Sequence, residues 1–260
     1  MELGLRGRKA LITGASKGIG LACAEALAEE GCDVILVSRN AADLAQAAEG
    51  IRARSNVNVT LHAADLSESA AVDELAANFP EIDILVNNAG AIPGGSLDAV
   101  DEVRWRSAWD LKVFGYINLT RQYLARMRQR RSGVIVNILG LAGEKPDAAY
   151  IAGSAGNASL MAFTRALGGA SPNDNIRIVG INPGPVLTER LETLLRNKAR
   201  TLHGSDEDWQ EFLSPLPFGR AARVEEVAAM AAFLASDRAS YISGTIVTID
   251  GGAANRGSVF

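Results

Sequence analysis

The stretch Lys9-Ala-Leu-Ile-Thr-Gly-Ala-Ser-Lys-Gly-Ile-Gly20 decides the fold. A short apolar strand runs straight into a turn with glycines at 14, 18 and 20, and an amphipathic helical pattern follows over residues 19–30. Glycines so placed make a tight turn and bring the unpaired N–H groups of a helix start against an anion, which the helix dipole also favours. Gly18 and Gly20 leave room for close approach and for the helix to pack on its strand. Strand, turn and helix in this order make the geometry of a pyrophosphate cradle.

The same alternation continues outward from this unit. Apolar runs predict strands at 9–13, 33–37, 57–61, 82–86, 133–138, 177–181 and 245–249. Between them, apolar residues at i, i+3 and i+4 predict helices at 19–30, 41–54, 68–78, 101–129, 149–168 and 224–235. Strand and helix in repeated succession imply an α/β fold with a parallel sheet. No Pro-, Gly- or Ser-rich linker divides the chain, so residues 1–260 read as one domain. Residues 186–218 break the rhythm. Leu187, Leu191, Leu194 and Leu195 fall at helical spacing, then Trp209, Phe212, Leu213 and Leu216 form a second apolar stripe. This segment is expected to be a helical insertion that lies over a ligand as a lid.

The chain holds 26 basic and 30 acidic residues, a net charge of −4, with 48% apolar residues, which excludes disordered and collagen-like classes. Only five of the 26 cations are lysines: Lys9, Lys17, Lys112, Lys145 and Lys198. Two histidines (His62, His203) and two cysteines (Cys23, Cys32) are too few for a zinc cluster or a disulfide framework, so no metal is expected. The arginines are scattered, and the cluster Arg126-Met-Arg-Gln-Arg-Arg131 falls where a helix should end, so no nucleic-acid surface is expected. The N-terminus lacks a long apolar signal segment, and no run of about 18 apolar residues exists, so a cytoplasmic protein without a membrane span is expected.

The end of the second strand reads Leu36-Val-Ser-Arg-Asn40, where NAD recognition would need a carboxylate. Arg39 and Lys17 instead supply two cations suited to a 2′-phosphate, so NADP(H) is expected over NAD(H). Asp65, in Ala64-Asp-Leu66, reads either as an acceptor for an adenine amino group or as a plain acid at a helix start.

Further motifs follow in order: Asn87-Asn-Ala-Gly90, Tyr150, Asn182-Pro-Gly184 with Thr188, and Asp250-Gly-Gly252. Together with Thr13–Gly20 they resemble the short-chain dehydrogenase/reductase family, particularly bacterial members similar to 3-oxoacyl-carrier-protein reductases. The resemblance covers nearly the whole chain. It implies a Rossmann fold with a doubly wound, seven-stranded parallel sheet and helices on both faces. It also implies nicotinamide-dependent carbonyl/alcohol chemistry on a small molecule, and a homo-oligomer, dimer or tetramer. By this resemblance Gly14, Ser16, Gly18 and Ile19 hold the pyrophosphate; Leu66, beside Asp65, is a further candidate cofactor-binding residue. Asn88, Ala89 and Gly90 line the ribose side, and Pro183, Gly184, Val186 and Thr188 hold the nicotinamide.

The family's catalytic residues are a serine, a tyrosine, a lysine four residues later and an asparagine in the fourth helix. Aligned on these, the chain has Leu139 and Gly140 for the serines, Tyr150 for the tyrosine, Ser154 for the lysine and Lys112 for the asparagine. A phenol with a pKa of about 10 is a slow base near neutrality unless a cation lowers it. Tyr150, Lys112 and Ser154 are therefore the candidate catalytic residues, with Lys112 expected to supply the missing cation. Asn137, Ser154 and Asn157 are open candidates for the missing serine donor. Two functions follow: an NADP(H)-dependent oxidoreductase acting on an apolar carbonyl or alcohol, or a catalytically impaired NADP-binding protein. A hydrolase reading of Ala152-Gly-Ser-Ala-Gly156 fails because that motif must directly follow a strand.

Overall fold

Runs such as Ala10-Leu-Ile-Thr13 and Ile84-Leu-Val-Asn87 are buried on both faces, as strands inside a helix-covered parallel sheet must be. The computed structural model describes residues 2–257. The strands are β1 (Lys9–Thr13), β2 (Asp33–Ser38), β3 (Val59–Ala63), β4 (Ile84–Asn87), β5 (Gly133–Ile138), β6 (Ile176–Pro183) and β7 (Ile246–Ile249). They form one sheet in the order β3-β2-β1-β4-β5-β6-β7, with every pair parallel. The order reverses between β1 and β4, so the loops leaving those strands diverge and open a cleft at their carboxyl ends.

The helices are α1 (Gly18–Glu29), α2 (Ala41–Arg54), α3 (Ser69–Asn78), α4 (Glu102–Trp109), α5 (Gly115–Arg130), α6 (Ile151–Ala170), α7 (Glu189–His203) and α8 (Val224–Ala235). Strand side chains alternate between two cores. Ile12, Leu36 and Val86 pack with α1, α2 and α8, and Leu11, Ile35 and Leu85 pack with α3, α5 and α6. Among the described residues, no helix is long and apolar enough to cross a membrane.

The expected helix over 101–129 is two helices, α4 and α5, joined by a π-helical segment, Asp110–Phe114. The widened turn adds a residue to the helical repeat without breaking the chain, so a 3.6-residue pattern does not reveal it. The insertion over 186–218 holds α7, followed by a short 3₁₀ turn at Trp209–Leu213 on which α7 rests.

A buried polar chain ties the strand ends to the helices. Asn87 Nδ2 donates to Thr120 Oγ1 on α5 (3.2 Å) and to Asn137 Oδ1 (2.9 Å), and Asn137 Nδ2 donates to Thr164 Oγ1 on α6 (2.9 Å). Both asparagines are fully buried. Removing one partner strands the others in a dry core. Asn137→Ala is expected to cost about 2 kcal/mol or more of stability, read by urea unfolding.

Candidate functional site

The turn after β1 is shaped by what a side chain would collide with. Gly14 and Gly18 have φ of +65° and +59°, which an L side chain resists. A Cβ on Gly20 would strike the Gly14 carbonyl and the Asn88 amide. The turn is braced from β4: Thr13 Oγ1 accepts N–H groups of Asn88 (2.9 Å) and Ala89 (3.0 Å), and Asn88 Nδ2 donates to Thr13 O (2.9 Å). Asn88 is thus committed to holding the turn. Thr13 was not singled out from the sequence, although a strand-end hydroxyl immediately before a glycine turn was available as a signal. Lys17 precedes α1 and makes no side-chain cap, which leaves the N–H groups of the first turn facing the cleft. This cradle fits an anion held by backbone donors.

Around it lie the other expected cofactor residues. Ser16 Oγ meets Ser38 Oγ at 3.0 Å, which fastens the turn to the end of β2. Arg39 is largely exposed and lies 3.8 Å from Asp65. Partial burial would raise the Asp65 carboxyl, but the Ser67 N–H and hydroxyl, with Arg39, hold it below its ordinary value. Leu66 is buried beside it. Gly184 donates its N–H to Ile249 O (2.9 Å), which sets the loop after Pro183 against β7. Val186 bridges to Ala222, and Thr188 caps α7 by accepting the Leu191 N–H (3.3 Å). Lys17 pairs at 3.4 Å with Glu189, the first residue of α7. A cavity of about 510 Å³ opens here, with Arg39, Asp65, Ile92, Leu111 and Arg190 on its wall.

The candidate catalytic residues are only partly brought together. Ser154 Oγ accepts the Asp147 N–H (2.9 Å) and donates to Asp147 O (3.1 Å), so its hydroxyl fastens the loop before α6. The α6 side chain that meets Gly140 is Asn157 instead. A Cβ on Gly140 would touch Asn157, and a Cβ on Gly153 would collide with the Tyr150 ring. The Tyr150 ring therefore fills the space that a side chain at 153 would need. Asn157 Nδ2 donates to Gly153 O (2.8 Å), and its buried Oδ1 has no partner. Asn137 belongs to the polar chain in the core and does not reach the cleft.

Lys112 sits in the π-helical segment, and its stem passes under Gly90, where a Cβ would clash with Lys112 Cδ. Its Nζ donates to Leu139 O (3.1 Å) and Ile138 O (3.3 Å) at the end of β5. The ammonium thus points inward and spends two of its three donors on backbone. Burial, with the Arg190 charge as a lesser cause, pushes Lys112 down to about 8. Burial raises the Tyr150 phenol above its ordinary value, while the Arg190 guanidinium beside it pulls the other way. Arg190 Nη2 also donates to Ile92 O (2.5 Å). Arg190 was missed from the sequence, because nothing local to α7 marks which strand-end loop it will meet.

The lowered Lys112 carries a sign. The folded chain releases this proton near pH 8 and the unfolded chain near its ordinary 10.5, so between them the unfolded state binds more protons. The Lys112 contribution to stability rises with pH across that interval. Urea unfolding of wild type and Lys112→Met from about pH 8 to 10.5 is expected to show the difference shift in favour of wild type.

Residues 8–199 match the short chain dehydrogenase family. The chain is 33% identical over 254 residues to the 3-oxoacyl-[acyl-carrier-protein] reductase FabG of Chlamydia muridarum, covering 95% of this chain and 97% of the relative. Its structure is similar to L-sorbose reductase from Gluconobacter frateurii complexed with NADPH and L-sorbose, with a TM-score of 0.91 and 32% identity over 98% of this chain and all of that one. It is also similar to NAD+-bound xylitol dehydrogenase, with a TM-score of 0.87 and 26% identity over 96% of this chain and all of that one. A cradle of backbone donors at the reversal of a seven-stranded parallel sheet, with these matches along nearly its full length, makes the chain a member of the short-chain dehydrogenase family of oxidoreductases.

Proposed function

We infer that the protein is an oxidoreductase that takes NADP(H) in preference to NAD(H) and interconverts a carbonyl and an alcohol, with Tyr150 exchanging the proton. The observation that carries the cofactor reading is the braced glycine cradle with Arg39, and no carboxylate, at the exit of β2. Gly14, Ser16, Gly18, Ile19 and Gly20 would hold the pyrophosphate, and Arg39 with Lys17 the 2′-phosphate. Asp65 and Leu66 would flank the adenine, and Ala89 and Gly90 the ribose. Pro183, Gly184, Val186 and Thr188 would hold the nicotinamide end. When bound, the nicotinamide supplies or accepts the hydride.

The protein supplies the rest. In reduction the Tyr150 hydroxyl gives its proton to the substrate oxygen and recovers one from solvent, and in oxidation the direction reverses. Gly140 has no side-chain donor for that oxygen, an omission worth about 10²-fold in rate by analogy with oxyanion donors. A second reading, cofactor binding with little or no turnover, is favoured by the same observation together with the commitment of Ser154 to Asp147. The leucines of α7 favour an apolar substrate, with Leu187 and Leu194 about half-exposed on the insertion. An apolar groove between Leu97, Val100, Trp105, Trp109 and Phe114 supports a homo-oligomer, and two buried free thiols fit a cytoplasmic setting.

Two experiments test this function. Arg39→Asp is expected to weaken NADP+ binding about tenfold or more relative to NAD+, read by calorimetric titration of both dinucleotides. If both affinities fall equally, the preference does not reside at Arg39. Tyr150→Phe is expected to lower kcat about 10²-fold or more in a panel of ketones and aldehydes with NADPH, while the affinity for NADPH is retained. Stoichiometric NADPH binding by wild type with no turnover across that panel would favour the second reading.

A further inference from the structure

The family's cation stands on the tyrosine's own helix, and α6 provides none near Tyr150, because its sole basic residue is Arg165, four turns on. The cation on this wall comes instead from α7: Arg190 Nη2 donates to Ile92 O (2.5 Å), and Ile92 belongs to the apolar cluster on which Tyr150 packs. We propose that Arg190 is the positioning cation for the Tyr150 proton, carried to the phenol by the first turn of α7. This rests on the reading of Tyr150 as the proton-exchanging group.

The contacts that bring it there are specific. Tyr150 packs on an apolar cluster of Ile92, Val100, Ala108 and Ala152, with Trp105 alongside. Arg104 of α4 lines the same cavity as Ile92, Ala108 and Arg190 and turns its Nη1 to the Ala99 carbonyl (3.2 Å). Asp147, three residues earlier, turns its carboxylate to the Ala149 N–H (2.8 Å). Lys112 turns its ammonium to the carbonyls of Ile138 and Leu139. Arg190 bonds to the Ile92 carbonyl, which pins the guanidinium to the wall on which the ring lies. A guanidinium has five donors in a planar fork and stays charged at every working pH, so one N–H can hold Ile92 O while others face the phenol oxygen. A fixed positive charge there favours the phenolate.

The placement also couples two halves of the site. The same turn of α7 begins with Thr188, whose methyl lies against Gly18, and with Glu189, which pairs with Lys17. The residue that attends the proton therefore arrives only when α7 is seated on the glycine turn. A lysine on α6 would be in place whether or not the insertion was seated.

The test reads the phenol directly and needs no substrate. The chain has four tyrosines, so labelling with ¹³Cζ-tyrosine gives four resonances, and Tyr150→Phe identifies the one of interest. Wild type, Arg190→Gln, Arg190→Lys and Lys112→Met are titrated by NMR, with circular dichroism confirming that each is folded. Arg190→Gln is expected to move the Tyr150 titration upward, Arg190→Lys to restore part of it, and Lys112→Met to move it less than Arg190→Gln. An unmoved or lowered titration in Arg190→Gln overturns the proposal, as does a larger shift in Lys112→Met. A Tyr150 resonance that does not titrate before unfolding in any of the proteins overturns it too. With a reducible ketone from the panel above, Arg190→Gln is expected to shift the pH profile of kcat upward with KM little changed. A raised KM with an unmoved profile would make Arg190 a substrate anchor instead and overturn the proposal. Absence of turnover in wild type would count against the oxidoreductase reading alone, since the titration stands without it.

Discussion

Where the strand order reverses, the Thr13 hydroxyl takes N–H groups from Asn88 and Ala89, and the Asn88 amide returns a bond to the Thr13 carbonyl. These bonds fix the separation of β1 and β4 at the point where nothing in the sheet ladder beyond Val86 would hold it. The cleft, the exposed first turn of α1 and the position of the loop after β4 all follow from that separation. Gly20 completes the arrangement, since any side chain there would push α1 off the strand and open the cradle.

The opposite wall is organised differently. It has lost side chains at the positions nearest the end of β5: Gly140 has none, Gly153 makes room for the Tyr150 ring, and Asn157 turns back to its own helix at Gly153 O. Small residues on a helix face let a large ring lie down on it, and here the ring comes from the residue that begins that helix. Positive charge is supplied from two other elements, the π-helical turn bearing Lys112 and the first turn of α7 bearing Arg190. The site is thus assembled across four segments that are remote in sequence, and its electrostatics depend on how those segments dock.

The strands were legible because a doubly covered parallel sheet demands unbroken apolar runs, and α2 and α8 fall at the residues that their apolar spacing predicts. The glycine turn was legible for the same local reason: its conformation is determined by residues adjacent in the chain. The break between α4 and α5 was not, because a π-helical turn keeps helical dihedrals and composition and differs only in the partner of each hydrogen bond. Nor could the sequence show that Asn157, and not Ser154, meets Gly140 at the end of β5. Tyr150 with Ser154 and Gly153 with Asn157 are equally spaced, and the rotation of the helix on the sheet separates them.

By itself, then, the sequence determined the seven-stranded α/β scaffold, the anion cradle and the cationic exit of β2, each encoded by neighbouring residues. Tertiary structure alone decided that Ser154 serves Asp147, that Lys112 points inward to β5 and that Arg190 is held at Ile92, in the wall on which Tyr150 packs. Side-chain partners across a cleft are set by helix rotation and loop docking. Those depend on the packing of the whole core and leave no mark in the local order of residues.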